Sequence, residues 1–268
     1  MPERIFYATH NVTLGGTALK GVQSVSLSSN FGIEPVFQLG QCDVIEYVPN
    51  VPECEVTITR ALYGGPALSL TLNNTACSTA EELLNEEKEI VIGSDAGGFT
   101  VSNALLSGYS VNFTTDGVFT EELTYVGDTL TAGGAFSANN DSDIHLPRRQ
   151  DWSGPAGAIS ARLTLNLGRD PVFVLGQYKP IKRFVQFPIE TTVELGYLLP
   201  DGGASPSDPP NCAVDPEGNE TITIGACDAT FSVGKAKLSN VGYSGGDTGG
   251  GNVTVTYTYT SYNNVTIG

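Results

Sequence analysis

Two histidines and five cysteines are the side chains best suited to chemistry in this 268-residue chain. Their spacing gives them little to work with. His10 stands near the start and His145 in a polar stretch near the middle, and neither has a nucleophile or metal-binding neighbour in sequence. Cys42, Cys54, Cys77, Cys212 and Cys227 form no Cys-x-x-Cys pair, so zinc-ligand spacing is absent. They read as reduced, mostly buried thiols, with a disulfide formed after release from the cell as the alternative. Gly242-Tyr243-Ser244-Gly245-Gly246 has the letters of Gly-x-Ser-x-Gly. A nucleophile elbow joins a strand to a helix, whereas here a glycine turn leads into another strand. The run Gly245–Gly251 lacks the Gly-Lys-Ser/Thr of a phosphate cradle. Asp141-x-Asp143 and Asp215-x-Glu217 fall short of the oxygen set of a calcium loop. The residues therefore point to no catalytic centre, no cofactor and no metal.

Charge narrows the partners. Thirteen Lys and Arg against 29 Asp and Glu give a net charge of −16. Gripping nucleic acid needs clustered Lys and Arg to neutralise phosphates, so a chain this acidic is ill suited to it. The imbalance is uneven: residues 1–145 carry 4 basic and 18 acidic residues, and residues 146–268 carry 9 and 11. The start, Met-Pro-Glu-Arg-Ile-Phe-Tyr, has no signal-peptide stretch, and no run approaches the ~18 apolar residues of a membrane span. Synthesis in a cytosol and no membrane partner are the expectations.

The elements that would hold any site come from a repeat. Glu-Pro-Val-Phe-Gln-Leu-Gly-Gln at 34–41 returns as Asp-Pro-Val-Phe-Val-Leu-Gly-Gln at 170–177, an offset of 136. Leu27, Asn30, Gly32 and Pro52 match Leu163, Asn166, Gly168 and Pro188 at that same offset. Ile92-Gly93 and Phe99-x-Val101 match Ile224-Gly225 and Phe231-x-Val233 at offset 132. A collinear series with one four-residue drift reads as an internal duplication. The spans are a first module at 1–132, a linker at 133–157 and a second module at 158–268.

Thr, Val, Tyr and 32 glycines, with only 16% charged residues, favour antiparallel β structure over a helical bundle. Each module is expected to run as a strand (22–30, 158–167), the Leu-Gly-Gln strand, a proline-containing loop and a strand (54–63, 189–199). An insert, a short strand ending in Ile-Gly and a final hairpin (99–130, 230–262) follow. Ser78–Leu84 predicts a short helix in the first insert, capped by Ser78 or Thr79; residues 200–210 predict a loop in the second. Along the last strands Thr120, Glu122 and Thr124, and Thr254, Thr256 and Thr258, alternate with an apolar set. The fold class is mainly β: two tandem antiparallel β-sandwich or half-barrel modules related by duplication, with one short helix in the first.

This order of strand, Leu-Gly strand, strand, helical insert and Phe-x-Val/Leu-x-Tyr hairpin resembles the tail tube proteins of tailed bacteriophages. The resemblance implies a structural virion protein made in the host cytoplasm and located in the tail. It implies rings that stack into a DNA conduit, and contacts with other tail proteins such as sheath or baseplate. A duplicated member would close a pseudo-sixfold ring from three chains. DNA would pass without specific binding. The apparent lack of a helix in the second half departs from the family pattern. Other β-rich virion components (a baseplate hub ring, tail terminator or capsid decoration protein) are the nearest alternatives. A carbohydrate-binding β-sandwich or an enzyme would need a pocket joining Trp152, tyrosines and acids.

Two sets of residues follow as candidate sites. The hydroxyls and carboxylate of Thr120, Glu122, Thr124, Thr254, Thr256 and Thr258 would face the lumen. The loops after each Leu-Gly-Gln, 42–53 and 178–188, would meet neighbours. They carry opposite charge, Asp43 and Glu46 in the first and Lys179, Lys182 and Arg183 in the second.

Overall fold

The computed structural model describes residues 10–73, 77–94, 97–133, 145–177, 179–198, 219–245 and 253–268. The start before His10, the 200–210 insert, Asp141-x-Asp143, Asp215-x-Glu217 and all of the 245–251 glycine run except Gly245 lie outside them. The first half contains β1 (His10–Leu14), β2 (Thr17–Ala18), β3 (Val22–Phe37), β4 (Val44–Ala61), β5 (Leu70–Thr71) and α1 (Cys77–Leu84). It continues with β6 (Lys88–Ser94), β7 (Phe99–Thr114), β8 (Thr120–Gly127) and β9 (Thr129–Ala132). The second half contains β10 (Ala158–Asn166), β11 (Arg169–Val172), β12 (Lys182–Val185) and β13 (Glu190–Leu198). It ends with β14 (Glu220–Ala226), β15 (Ala229–Ser244), β16 (Thr254–Tyr262) and β17 (Val265–Ile267). The fold is mainly β and antiparallel, with one short helix in the described part of the first half. Among the described residues no helix is long and apolar enough to cross a membrane.

Eight strands form the principal sheet, in the order β3-β4-β8-β7-β10-β13-β16-β15. The first four belong to the first half and the last four to the second, and both runs follow the same connectivity. Both long hairpin strands also bend away into a second layer. The start of β7 pairs with β6 and β9; the start of β15 pairs with β14 and β17. Apolar residues at every second position fill the space between the layers, as period-two strands require. Ile58, Leu123, Val111, Leu163, Val193 and Phe231 are each wholly buried there.

Irregularities recur at the offsets of the repeat. Register shifts fall between Val22 and Ser24 and between Ala158 and Ser160, 136 residues on. They fall again between Lys88 and Ile90 and between Glu220 and Ile222, 132 residues on. Ser107 and Ser239 occupy matching bulges, where their hydroxyls donate to the carbonyls of Thr124 (3.1 Å) and Thr258 (3.0 Å). Asn103 and Lys235 have left-handed φ of 54° and 51°. Gly40 and Gly176, at φ 87° and 88°, close tight turns by the bonds Gln41 N–H to Gln38 (3.1 Å) and Gln177 N–H to Val174 (3.2 Å). A type II turn needs positive φ at its third residue, which explains the glycine of Leu-Gly-Gln. The leucine before it is then thrown outward, and Leu39 and Leu175 are both fully exposed.

Several expected elements differ. The Pro-Val-Phe-x-Leu-Gly-Gln segments leave their strands at Phe37 and Val172 because each Leu-Gly-Gln forms a turn, and the expected loop 178–188 contains β12. The proline-containing loop at 42–53 is mostly strand: β4 starts at Val44 and runs through Pro49 and Pro52 against β3. Its pairing with β8 begins only at Cys54, so this stretch is a two-stranded arm with one open side. Proline is tolerated at such edges.

Candidate functional site

The principal sheet has one face toward the core and one turned outward. Residues directly opposite each other across strands share a face, so the register gives its composition. One row runs Thr59, Glu122, Ser110, Thr164, Thr192 and Thr260. Another runs Thr120, Asn112, Arg162, Glu194, Thr258 and Asn240. The sequence-expected residues Thr120, Glu122, Thr124, Thr254, Thr256 and Thr258 all lie on this single outward face, exposed or half-buried. Ser24, Ser26 and Ser28 extend it at one side and Gly242 and Ser244 at the other. The exposed charges are Glu53, Glu55, Glu122, Glu190 and Glu194 against Arg162 and Lys237. The surface is short, hydroxyl-rich and net acidic.

Its two edges are open. Val22–Asn30 of β3 pairs only with β4, and Lys237–Ser244 of β15 only with β16, among the described residues. Between them, the seam of the two halves is β7 against β10, from Gly108↔Asn166 to Thr114↔Ser160.

The charged loop residues take two kinds of place. Asp43 and Glu46 are exposed on the first arm. Glu46 faces Val36, and Lys182 faces Val172, the same station 136 residues on. Lys182 lies 5.1 Å over the Phe184 ring, and Lys179 donates to Thr129 Oγ1 at 2.6 Å. Arg183 differs from the outward cation expected of a loop. It sits in β12 with a side chain only 5% exposed, and it donates to Asp128 (2.9 Å) and Glu53 (3.1 Å) of the first half. The carboxylates of the acidic first half draw it inward.

Two further groups were not singled out in the sequence. Arg169 donates to the carbonyls of Leu106 and Leu84 and to Asn85 Oδ1, each at 2.7 Å. It thereby clamps the end of α1, and burial lowers its pKa to about 10. Glu121 is buried beside Arg60, which it pairs, and accepts from Tyr109 Oη (2.7 Å) and the Ala67 N–H (3.0 Å). Burial first, then Glu121, pushes the Tyr109 phenol well above its ordinary value. The signal was a charge in each apolar register: Arg60 after Val56 and Ile58, and Glu121 between Phe119 and Leu123.

Among the described residues no tyrosine or acid lines the Trp152 cavity, which Phe113, Phe119, Arg149 and Ile159 line. The indole packs edge-on to Phe113 at 5.2 Å and donates to the Pro155 carbonyl. Of the expected buried thiols, Cys54 is buried and Cys42 and Cys227 are exposed and free, while Cys212 and the Cys77 side chain lie outside the described part.

A wide sheet with a polar face, two open edges and one projecting arm defines a β-rich building block. Residues 7–130 match the family model of the Phi812 tail tube protein. The match runs from before β1 into β9, a little under half of the chain, and supports a likeness of this part to the bacteriophage tail tube family. No curated protein matches the chain.

Proposed function

We propose that this chain is the major subunit of a phage tail tube, in which three copies close a ring and stacked rings enclose a DNA conduit. In this reading the chain is a duplicated tube module, synthesised in the host cytoplasm and resident in the virion tail. The shared strand order, and the bulges recurring at the offsets of the sequence repeat, support the duplication. The carrying observation is the seam. Inside one chain, β7 and β10 join the two halves, and their repeat counterparts β15 and β3 are the edges left open. Applying the repeat offsets to the seam gives an intersubunit register: Asn240↔Asn30, Gly242↔Ser28 and Ser244↔Ser26 of the next copy. Closing the ring this way removes every long edge of the principal sheet, which otherwise templates aggregation.

The polar face then lines the bore. Carboxylates there repel phosphate, and short hydroxyls offer no cationic trap, so DNA slides without being held. The exposed apolar residues of the arms, Phe31, Ile33, Phe37, Leu39 and Tyr47, suit contact with neighbouring copies or other tail proteins such as sheath or baseplate. Catalysis and cofactors have no part in the reading.

Cysteines introduced at Ser28 and Gly242, in a chain with Cys42 and Cys227 changed to serine, test it. Oxidation should yield covalent trimers, with tubes seen by negative stain, and neither single cysteine should do so. Rings that form without this cross-link would reject the register. Single rings that never stack would favour a hub, terminator or decoration role.

A further inference from the structure

The fold brings Cys227 to His145 and Asp151, which stand six residues apart in the chain. One ring nitrogen, one carboxylate oxygen and the thiol sulfur lie within 4.8 Å of one another. His145 Nε2 stands 3.2 Å from Asp151 Oδ2. That carboxylate is held in place, since it also accepts the Arg148 N–H at 2.9 Å across the 3-10 turn Arg149–Asp151. A bridge between Trp152 and Ala226 sets the turn against the tip of the β14–β15 hairpin, where Cys227 sits. Cys227 has a φ of 49°, in a two-residue turn where asparagine or glycine is the usual choice. Turn chemistry alone does not call for a thiol there.

The structure of the first half suggests what such a cluster does. There the whole of β1 pairs with β6, with His10 opposite Ser94. Ser94 corresponds to Ala226 at offset 132, and the second half meets that station with the Trp152 bridge and one bond, Ser153 N–H to Gly225 (2.8 Å). A strand is replaced by a short, weakly tied segment.

We infer that His145, Asp151 and Cys227 bind a zinc-class divalent cation that staples this segment to the β14–β15 turn, with water in the fourth position. Thiolate, imidazole and carboxylate together are a zinc donor set; magnesium and calcium prefer oxygen alone. Tetrahedral zinc, with bonds of about 2.0–2.3 Å, places its ligand atoms roughly 3.3–3.8 Å apart. His145 and Asp151 already stand near that spacing, and the thiol closes the remaining gap by roughly 1 Å. The Arg148 N–H serves as the outer-shell donor that orients the carboxylate. Asp228 adds a negative charge on the same turn. Binding displaces the thiol proton to solvent, so affinity weakens as the pH is lowered.

Cobalt(II) titrated into the chelator-treated full-length protein is the probe, because thiolate coordination gives a charge-transfer band and tetrahedral geometry gives visible d–d bands. One equivalent should produce both, and zinc should bleach them. Cys227→Ser should abolish the charge-transfer band, and His145→Ala should weaken cobalt binding at least tenfold, both with unchanged far-UV circular dichroism. Bands that persist in Cys227→Ser, or no bands in the unmodified protein, would overturn the site.

Discussion

The two arms built on Pro-Val-Phe-x-Leu-Gly-Gln end in the same turn but meet different surroundings. The second arm, β11–β12, forms a separate two-stranded sheet lying on the first half. Arg169 clamps α1, Arg183 pairs with Glu53 and Asp128, and Lys179 bonds Thr129. The first arm continues straight out of β3 and β4, and the counterparts of those cations are Ile33, Tyr47 and Asp43. Ile33 and Tyr47 are each 62% exposed. One arm has a half-molecule to rest on and the other has none within the chain. The same element is thus an internal clasp in one half and, in the tube proposed here, a subunit contact in the other.

The largest effect should come from proline scanning the two matched strands. Through Ser24–Ser28, positions whose N–H points away from β4 should abolish ring assembly while leaving the monomer's Tm nearly unchanged. Through Ser160–Thr164, where both sides are paired, each proline removes a ladder bond and strands its acceptor, costing roughly 2–4 kcal/mol. Equal losses of fold at both strands would break the comparison.

The halves also differ inside. Glu121 pairs across strands with Arg60, while at the corresponding station Val255 faces Tyr197. Glu121→Leu should lose about 3–5 kcal/mol in urea unfolding by leaving Arg60 buried and unpaired. Importing the second half's pair, as Arg60→Tyr with Glu121→Val, should recover most of that. A double variant as unstable as the single one would show that the surrounding carbonyls, not the pair, set the cost.

At the clasp, Arg183→Met should destabilise the chain by about 1–3 kcal/mol, the worth of its charge-assisted bonds. Raising the salt concentration should shrink the difference only slightly, because Arg183 is buried.

Alkaline unfolding should differ as well. Burial, with Tyr259 and Tyr257 nearby, pushes Tyr197 up to about 12. The folded state keeps a proton that the unfolded chain releases near pH 10, so this stability is complete below pH 10 and lost as pH rises toward 12. Tyr197→Phe should shift the alkaline midpoint upward; an unmoved midpoint would assign the loss to Tyr109 and to Tyr125, whose phenol is also pushed up by burial first and Glu121 next.

The smallest effect on the fold should come from Thr256→Lys with Thr258→Lys on the outward face, within about 0.5 kcal/mol. Rings should still form, while DNA ejection from particles carrying the variant slows. Normal ejection would move the outward face out of the bore.

Much of this was legible in the residues. The caps and early glutamates of Ser78–Leu84 located the helix, and alternation located β8 and β16, because a half-buried strand prints a local period. The placement of Thr120, Glu122 and Thr124 with Thr254, Thr256 and Thr258 on one polar face followed from the same rule. The return strand of the first arm, 44–53, did not read as strand, since Pro49 and Pro52 mimic a loop unless the open side of the pair is known.

By itself the sequence determined the mainly β class and much of the succession of elements in each half, properties of neighbours along the chain. The turn at each Leu-Gly-Gln, expected as strand, came from the structure. The sequence also carried the matched segments from which the proposed tube pairs its edges. Only the tertiary structure decided that β7 and β10 meet, that Arg183 turns inward to Glu53 and Asp128, and that His145 finds Asp151 and Cys227. These contacts join residues whose separation no local period encodes. They exist because packing two sheet layers brings distant segments to the same place, where charge and hydrogen bonding then select the partners.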